Sequence, residues 1–183
     1  MIKKRIRINN KYEIQSLQSK EIIEWHRKYI EFYIASEFKD YNPRVLDIGC
    51  CSGYLTNLFC SFSSDVVGLD YEEGFIVDAN SKYSKPKFIK GDIYNLDKID
   101  GTFDLIVCFA VIQHISDLEL VLKNVKSKLK DTIHSRALFT TINKNSIFNR
   151  NYFGCKLSTL KDKHNFNLNL FSKEQYIKFS KLS

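Results

Sequence analysis

The sequence is poor in proline and has no long apolar run, and each shortage excludes a class of protein. Two prolines and seven glycines in 183 residues, with 44% hydrophobic content, exclude a collagen-like or proline-rich disordered chain. The longest apolar run, residues 105–112, is far shorter than the roughly 20 residues of a membrane-spanning helix. The basic N-terminus, residues 1–8, is not followed by the apolar region of a secretory signal. We therefore expect one soluble domain.

The cysteines also lack the spacing of a metal site or a disulfide framework. They are odd in number and include no C-x-x-C pair: Cys50, Cys51, Cys60, Cys108 and Cys155. Most lie within apolar stretches, where a free cysteine behaves as a small hydrophobic residue. We therefore expect a protein of the reducing cytoplasm that holds no metal ion.

Charge is unevenly distributed along the chain. Residues 1–41 carry 9 basic and 6 acidic side chains, residues 42–120 carry 6 and 12, and residues 121–183 carry 13 and 3, which together give the net charge of +7. A basic C-terminal third is able to recruit nucleic acid or another polyanion. Because no nucleic-acid-binding motif accompanies these lysines, solvated lysine-rich surfaces are the favoured interpretation.

Apolar patterning predicts strands and helices in alternation. Residues 19–38 have apolar positions every three or four residues, which predicts an amphipathic helix. Strands are predicted at 44–48, 65–69, 87–90, 103–110 and 137–142, and further helices at 54–62, 72–83, 117–130 and 172–179. Strands separated by helices form a mainly parallel sheet with helices on both faces. The predicted fold class is α/β, Rossmann-like and doubly wound.

A glycine-bearing loop follows the first strand, at the edge where such sheets bind ligands. A dinucleotide-binding fingerprint needs glycine at positions 49, 51 and 54, but Cys51 and Tyr54 stand at the last two. The spacing is D-x-G-x-x-x-G, from Asp47 through Gly49 to Gly53. This pattern resembles the first motif of class I S-adenosylmethionine-dependent methyltransferases, in which the position of Cys51 is usually glycine. The resemblance implies that Asp47, Gly49, Cys51 and Gly53 bind S-adenosylmethionine.

Later motifs extend the resemblance in the family's order, from residue 44 to residue 116. Asp70 ends the second strand, where the family's acid accepts the ribose hydroxyls, and Tyr71 beside it is a further expected contact. Asp92 follows the third strand, where the family's acid accepts the adenine amino group and the next apolar residue, Ile93, packs on the ring. Phe109, near the end of the fourth strand, completes the expected cofactor site. Each acid has an ordinary alternative, because aspartate also caps helices and turns.

Histidines supply the candidates for acid–base chemistry. His114 lies in the loop after the fourth strand, and its ordinary pKa lets it accept a proton near neutral pH. It is the candidate catalytic base, although in many relatives the corresponding histidine only shapes the pocket. His26, on the first helix, has two interpretations: it lines an acceptor pocket or, as the favoured interpretation, it lies at the helix surface; the same holds for His164. Asp104, at the other end of the fourth strand, is expected to be structural.

The resemblance implies methyl transfer to oxygen or nitrogen of a small-molecule, sugar or lipid-precursor acceptor. No Asp-Pro-Pro-Tyr or Asn-Pro-Pro-Tyr follows the fourth strand, which argues against the enzymes that methylate amino groups of DNA bases. An RNA methyltransferase, motivated by the basic C-terminal third, stays open as an alternative. So does a truncated, non-catalytic cofactor-binding remnant.

We expect one domain in three parts. Residues 1–42 form an N-terminal helical segment, residues 43–143 the cofactor-binding core, and residues 144–183 an irregular segment with a final helix. Relatives usually continue into two more strands, so the far edge of the sheet is expected to be missing. A missing edge leaves an unpaired strand. The predictions of fold and cofactor binding hold with or without the further strands, whereas the prediction of activity depends on a complete domain.

Overall fold

A computed structural model of the chain describes residues 20–140, which contain nearly all of the predicted core. Cys155, His164 and the helix predicted at residues 172–179 lie outside the described residues. Within the described part, no helix is long and apolar enough to cross a membrane.

Strands and helices alternate as the sequence patterning predicts, with bounds that differ by a few residues. The strands are β1 (Arg44–Ile48), β2 (Asp65–Asp70), β3 (Lys87–Lys90), β4 (Leu105–Phe109) and β5 (Arg136–Thr140). The α-helices are α1 (Lys20–Tyr29), α2 (Ala35–Glu37), α3 (Tyr54–Phe59), α4 (Glu73–Lys82) and α5 (Leu118–Lys128). The helix predicted at residues 19–38 is not uniformly α-helical, because the π-helical stretch Ile30–Ile34 joins α1 to α2. Two short 3-10 helices, Ile93–Lys98 and Ile112–His114, follow β3 and β4.

The five strands form one parallel sheet in the order β3-β2-β1-β4-β5. The central strand β1 pairs with β2 on one side and with β4 on the other, so that Asp47 lies between Gly68 and Val107. The chain therefore winds outwards from β1 in both directions, which confirms the doubly wound topology. Within the described residues, β3 and β5 are the two edges of the sheet.

Alternating side chains of the central strands build an apolar core on each face of the sheet. Leu46, Ile106 and Cys108 pack with the buried side of α5 and with the 3-10 helix after β3. Val45, Leu105 and Val107 pack on the opposite face with α3 and the π-helical stretch. Strands covered on both faces have near-continuous apolar sequences, as residues 105–109 do.

Helix α1 runs antiparallel to the strands. Just beyond α2, the Tyr41 hydroxyl donates to Asp104 Oδ1 over 2.6 Å, at the amino end of β4. From this end back to His26 the helical chain spans about 16 Å, at 1.5 Å per residue, which is close to the length of a five-residue strand. The ring of His26, on α1, lies 5.0 Å from the ring of Phe109, the last residue of β4, so this part of α1 lies at the carboxyl edge of the sheet.

Candidate cofactor-binding site

The candidate site lies at the carboxyl edge of the sheet, where the loops after β1 and β4 diverge. Because β2 and β4 flank β1 on opposite sides, these loops lead to opposite faces and leave a crevice between them. Gly49–Gly53 forms the first loop, and residues 110–114 form the second. The expected cofactor residues Asp47, Asp70, Asp92 and Phe109 lie at or next to the carboxyl ends of four neighbouring strands.

Two glycines of the first loop are required by its geometry. Gly49 has φ +80° and Gly53 has φ +81°, in the left-handed region that favours glycine. A Cβ atom at Gly49 would collide with the side chain of Val111, and one at Gly53 would lie 2.5 Å from the Phe88 ring. The Gly49 amide donates to the Leu69 carbonyl over 2.7 Å, which holds the loop against β2.

Cys51, at the position where glycine is usual in the resembled family, also has a left-handed backbone, with φ +46°. Its amide donates to Asp70 Oδ2 over 2.9 Å, so this loop position touches the acid at the end of β2. Burial raises the pKa of the Cys50 and Cys51 thiols, which keeps both protonated. All four cysteines in the described residues are free thiols.

Asp47 is almost completely buried beneath the loop, with 3% of its surface exposed. The Thr56 hydroxyl donates to Asp47 Oδ2 over 2.6 Å. Burial is the main reason why the pKa of Asp47 rises to about 7; the hydrogen bond from Thr56 opposes the rise, and the negative charge of Asp70 adds to it. The contact of Thr56 with Asp47 was not predicted from the sequence. The one feature that could have indicated it is that Thr56 lies in the first turn of the helix after the loop.

Asp70 is a structural support of the loop as well as the expected ribose acid. Besides the bond from Cys51, its Oδ1 accepts the Glu72 amide over 2.9 Å. Burial raises the pKa of Asp70, and backbone N–H groups of Glu72, Cys51 and Tyr71 act against that rise. Asp70 therefore does cap the turn before α4, as the ordinary alternative for this residue expects. Its role in binding ribose stays a prediction.

The expected adenine-side residues lie after β2 and β3. Asp92 Oδ1 accepts the Tyr94 amide over 3.0 Å and so caps the 3-10 helix. Ile93, the first residue of that helix, is buried in the core. Tyr71 is 42% exposed, and together with Asp92 it lines a cleft of about 690 Å³ along β2 and β3.

His26 is buried, so the prediction that it lies at the surface of the first helix is wrong. It is 8% exposed, and its ring lies 5.0 Å from the ring of Phe109, the last residue of β4. The antiparallel course of α1 brings His26 to the end of β4, and sequence periodicity does not report this placement. Phe109 itself is buried in the core on the α3 face of the sheet.

His114 ends the 3-10 helix that follows β4. Burial lowers the pKa of His114 to about 4, so the imidazole is neutral at pH 7. The residue lies in the second loop of the crevice, as the sequence predicts. Asp104 lies at the opposite, amino edge, where it accepts bonds from Tyr41, Arg44 and Lys130, which confirms the structural role expected for it.

Within residues 20–140, no group of three or more histidine, cysteine, aspartate or glutamate side chains is arranged to hold a metal ion.

Comparison with known families decides what this site belongs to. Residues 46–132, which include the loop, the buried acids and both 3-10 helices, match the family described as a methyltransferase domain. Over this span the chain is similar to methyltransferase domains that use S-adenosylmethionine. The methyltransferase match begins within β1 and ends after α5.

Curated proteins that are similar to the chain are longer than the chain itself. A ubiquinone biosynthesis O-methyltransferase from Coxiella burnetii is 29% identical over 123 residues, which are 64% of this chain and 50% of that protein. A probable S-adenosylmethionine-dependent methyltransferase from Mycolicibacterium smegmatis is 29% identical over 93 residues, 51% of this chain and 36% of that protein. The chain thus spans about half the length of these relatives or less.

Solved structures share the methyltransferase fold. The plantazolicin methyltransferase BpumL, in complex with S-adenosylhomocysteine (SAH), superposes with a TM-score of 0.74 at 19% identity, over 92% of this chain and 66% of BpumL. A methyltransferase from Archaeoglobus fulgidus gives 0.71 at 21% identity, over 94% of this chain and 73% of that one. These likenesses confirm the Rossmann-like fold.

Proposed function

We propose that the chain binds S-adenosylmethionine and transfers its methyl group to an oxygen or nitrogen of a small-molecule, sugar or lipid-precursor acceptor. The observation that carries the proposal is the crevice at the carboxyl edge, where a glycine loop with left-handed residues meets the buried acids Asp47 and Asp70. Carboxylates at such an edge suit a ligand that bears hydroxyl groups and positive charge.

The residues present fit an adenosyl cofactor. Gly49 and Gly53 give the loop its left-handed turns and let it pack against Val111 and Phe88, at the sheet edge where such folds bind ligands. Asp70 would accept the ribose hydroxyls, and Asp92 with Ile93 would hold the adenine. Tyr71 and Phe109 would border the ligand, and Asp47 with Cys51 would lie at the loop end of the site.

The cofactor would supply a methyl group on a sulfonium centre, which needs no covalent bond to the protein. The chain's own task is to align the acceptor and to keep water out of the crevice. His114 is proposed to face the acceptor. Its imidazole is neutral at pH 7 because burial lowers its pKa to about 4. The neutral ring is proposed to accept a proton from a hydroxyl or an amine, with weaker basicity than an exposed histidine.

The proposed acceptor class is supported by one of the relatives, which is named as an O-methyltransferase of ubiquinone biosynthesis. That name indicates a small-molecule acceptor for the relative. The rival idea of an RNA acceptor rests on the basic residues 121–183, most of which lie outside the described part of the chain. RNA binding driven by these charges would weaken steeply as salt is added.

The first prediction tests cofactor binding by calorimetry of the full chain with SAH, comparing Asp70→Asn with Asp65→Asn. Both acids lie on β2, at opposite ends, so the second substitution is a matched control. We expect saturable one-site binding, weakened about tenfold or more by Asp70→Asn, since a charge-assisted hydrogen bond contributes about 1.5–3 kcal/mol. Asp65→Asn should change the affinity less than twofold.

Absence of SAH binding by the folded chain would contradict the proposal, as would equal effects of the two substitutions. Once binding is established, transfer of a labelled methyl group to a panel of hydroxyl and amine acceptors tests the reaction. Labelling of RNA instead would favour the alternative acceptor. Binding without transfer to any acceptor would leave a cofactor-binding domain without the proposed activity.

A further inference from the structure

The charge of Asp47 is set by its surroundings. The carboxyl group lies on the central strand, beneath the glycine loop and 3% exposed. The α3 helix presents the Thr56 hydroxyl to this carboxyl group, and the end of β2 presents the Asp70 carboxylate. The loop above it carries the protonated thiols of Cys50 and Cys51, and its partner on β4 is the apolar Val107.

No lysine or arginine within residues 20–140 forms a salt bridge with Asp47 or Asp70. The salt bridges in this range engage other acids, including Asp65 at the far end of β2 and Asp104 at the amino edge of the sheet. Two carboxylates that share a buried site without a cation do not ionise together at low free energy. The free protein therefore favours a proton on Asp47, and the site favours a ligand that brings positive charge.

Thr56 acts against that proton. It is fully buried on α3, and its hydroxyl donates to Asp47 Oδ2 over 2.6 Å. A donated hydrogen bond stabilises the ionised carboxylate, and no other donor to Asp47 is present in the described part of the chain. Without this bond, Asp47 would hold its proton to a higher pH.

We propose that Thr56 is a positioning residue that keeps Asp47 ready to ionise, so that the carboxyl group exchanges its proton for the cationic amino group of the cofactor. The step balances as Asp47–COOH plus a ligand ammonium giving an ion pair plus one proton released to water. It rests on the proposed function, because the ligand is the same S-adenosyl cofactor. Beyond the proposed function, this step assigns a role to Thr56, which lies outside the glycine motif, and predicts that a proton is released when the cofactor binds.

The experiment measures proton release during SAH binding, by calorimetry in buffers of different ionisation enthalpy between pH 5.5 and 8. For the unmodified chain, about one proton should be released per SAH at the acid end, falling towards none as the pH passes the midpoint of Asp47. Linkage makes the affinity fall about tenfold per pH unit below that midpoint. Asp47→Asn should abolish this proton release. Any release that remains in Asp47→Asn comes from other groups, including the amino group of SAH, and is subtracted.

Thr56→Val and Thr56→Ser separate a positioning role from a packing role. Valine keeps the volume but loses the donor, so the midpoint should move up by about one pH unit. The affinity should then fall about fivefold at pH 7 and about tenfold well below the midpoint. Serine keeps the donor and should restore the midpoint. Carbon-detected NMR of the Asp47 carboxyl in the free variants reports the same shift without a ligand.

The outcomes distinguish this inference from the proposed function. If SAH does not bind, the proposed function fails. If SAH binds without proton release, or if Thr56→Val lowers stability but leaves the midpoint in place, the inference is overturned and the cofactor site stands. 5′-Methylthioadenosine lacks the amino-acid part, so a proton release equal to that of SAH would also overturn the assignment to the cationic group.

Discussion

At the scale of single residues, Asp47 makes stability depend on pH in an unusual direction. Its pKa in the folded protein is about 7, above the value of about 3.9 in an unfolded chain. Between these values the folded state holds a proton that the unfolded state has lost. Stability contributed by this group is therefore present at low pH and is lost as the pH rises towards 7.

Asp47→Asn should accordingly stabilise the cofactor-free chain more at pH 8 than at pH 5. The amide stays neutral and still accepts a bond from Thr56, so its advantage grows as the native carboxyl must ionise. We expect the difference in free energy of unfolding to widen by about 2 kcal/mol between the two pH values. Urea unfolding at both pH values measures it, and an equal difference at both would contradict the shifted pKa.

At the scale of elements, the 3-10 helix after β3 is fastened to α5 by a tyrosine. The Tyr94 hydroxyl accepts the Ser116 amide over 2.8 Å and the Asp117 amide over 3.2 Å, just before α5 begins. In return, the Asn124 side chain donates to the Tyr94 carbonyl over 3.0 Å. The loop that carries Asp92 and the loop that carries His114 are therefore held by the same helix.

Tyr94→Phe should lower the free energy of unfolding by about 1–2 kcal/mol, because two backbone N–H groups lose their acceptor while the ring keeps its packing. Urea denaturation at neutral pH measures the change. Tyr33→Phe is the matched control, since Tyr33 is exposed on the π-helical stretch, and we expect it to change stability by less than about 0.5 kcal/mol. Equal effects of the two substitutions would show that the Tyr94 hydroxyl has no structural role.

At the scale of the whole molecule, the stabilising contacts of Asp104 and the candidate site lie at opposite edges of the sheet. Asp104 is 1% exposed at the amino edge. Burial acts to raise its pKa, but bonds from Lys130, Tyr41 and the Arg44 amide outweigh burial and hold the pKa below its usual range. One carboxylate thus joins the end of the N-terminal helical segment, the start of β1 and the segment before β5.

Asp104→Asn should lower the free energy of unfolding by about 2 kcal/mol at pH 7, because the ion pair with Lys130 is lost. The SAH affinity of the folded variant should stay within twofold of the unmodified chain, since the site is at the other edge. Urea unfolding and calorimetry on the same sample measure both. The difference in stability should shrink as the pH falls through the depressed pKa, where the native carboxylate takes up a proton. A large loss of affinity would show that the two edges are coupled.

Sequence patterning predicted the order of the elements because each one leaves a local mark. Strands covered on both faces are continuously apolar, as residues 105–109 are, and the helices show three- and four-residue spacing. The glycine loop was likewise visible, since left-handed backbone positions at Gly49 and Gly53 require a particular residue type. The π-helical stretch and the 3-10 helix after β3 were not predicted, because they depend on packing against the sheet.

By itself, the sequence determined the alternation of strands and helices, the loop and the acids that follow three strands, since these are properties of neighbouring residues. Only the tertiary structure decided which side chains meet. Placing β1 between β2 and β4 brings Asp70 to Cys51 and to Asp47, and the antiparallel course of α1 buries His26 against Phe109. The charge of Asp47 belongs to this second group, because burial and a neighbouring carboxylate act through space and not along the chain.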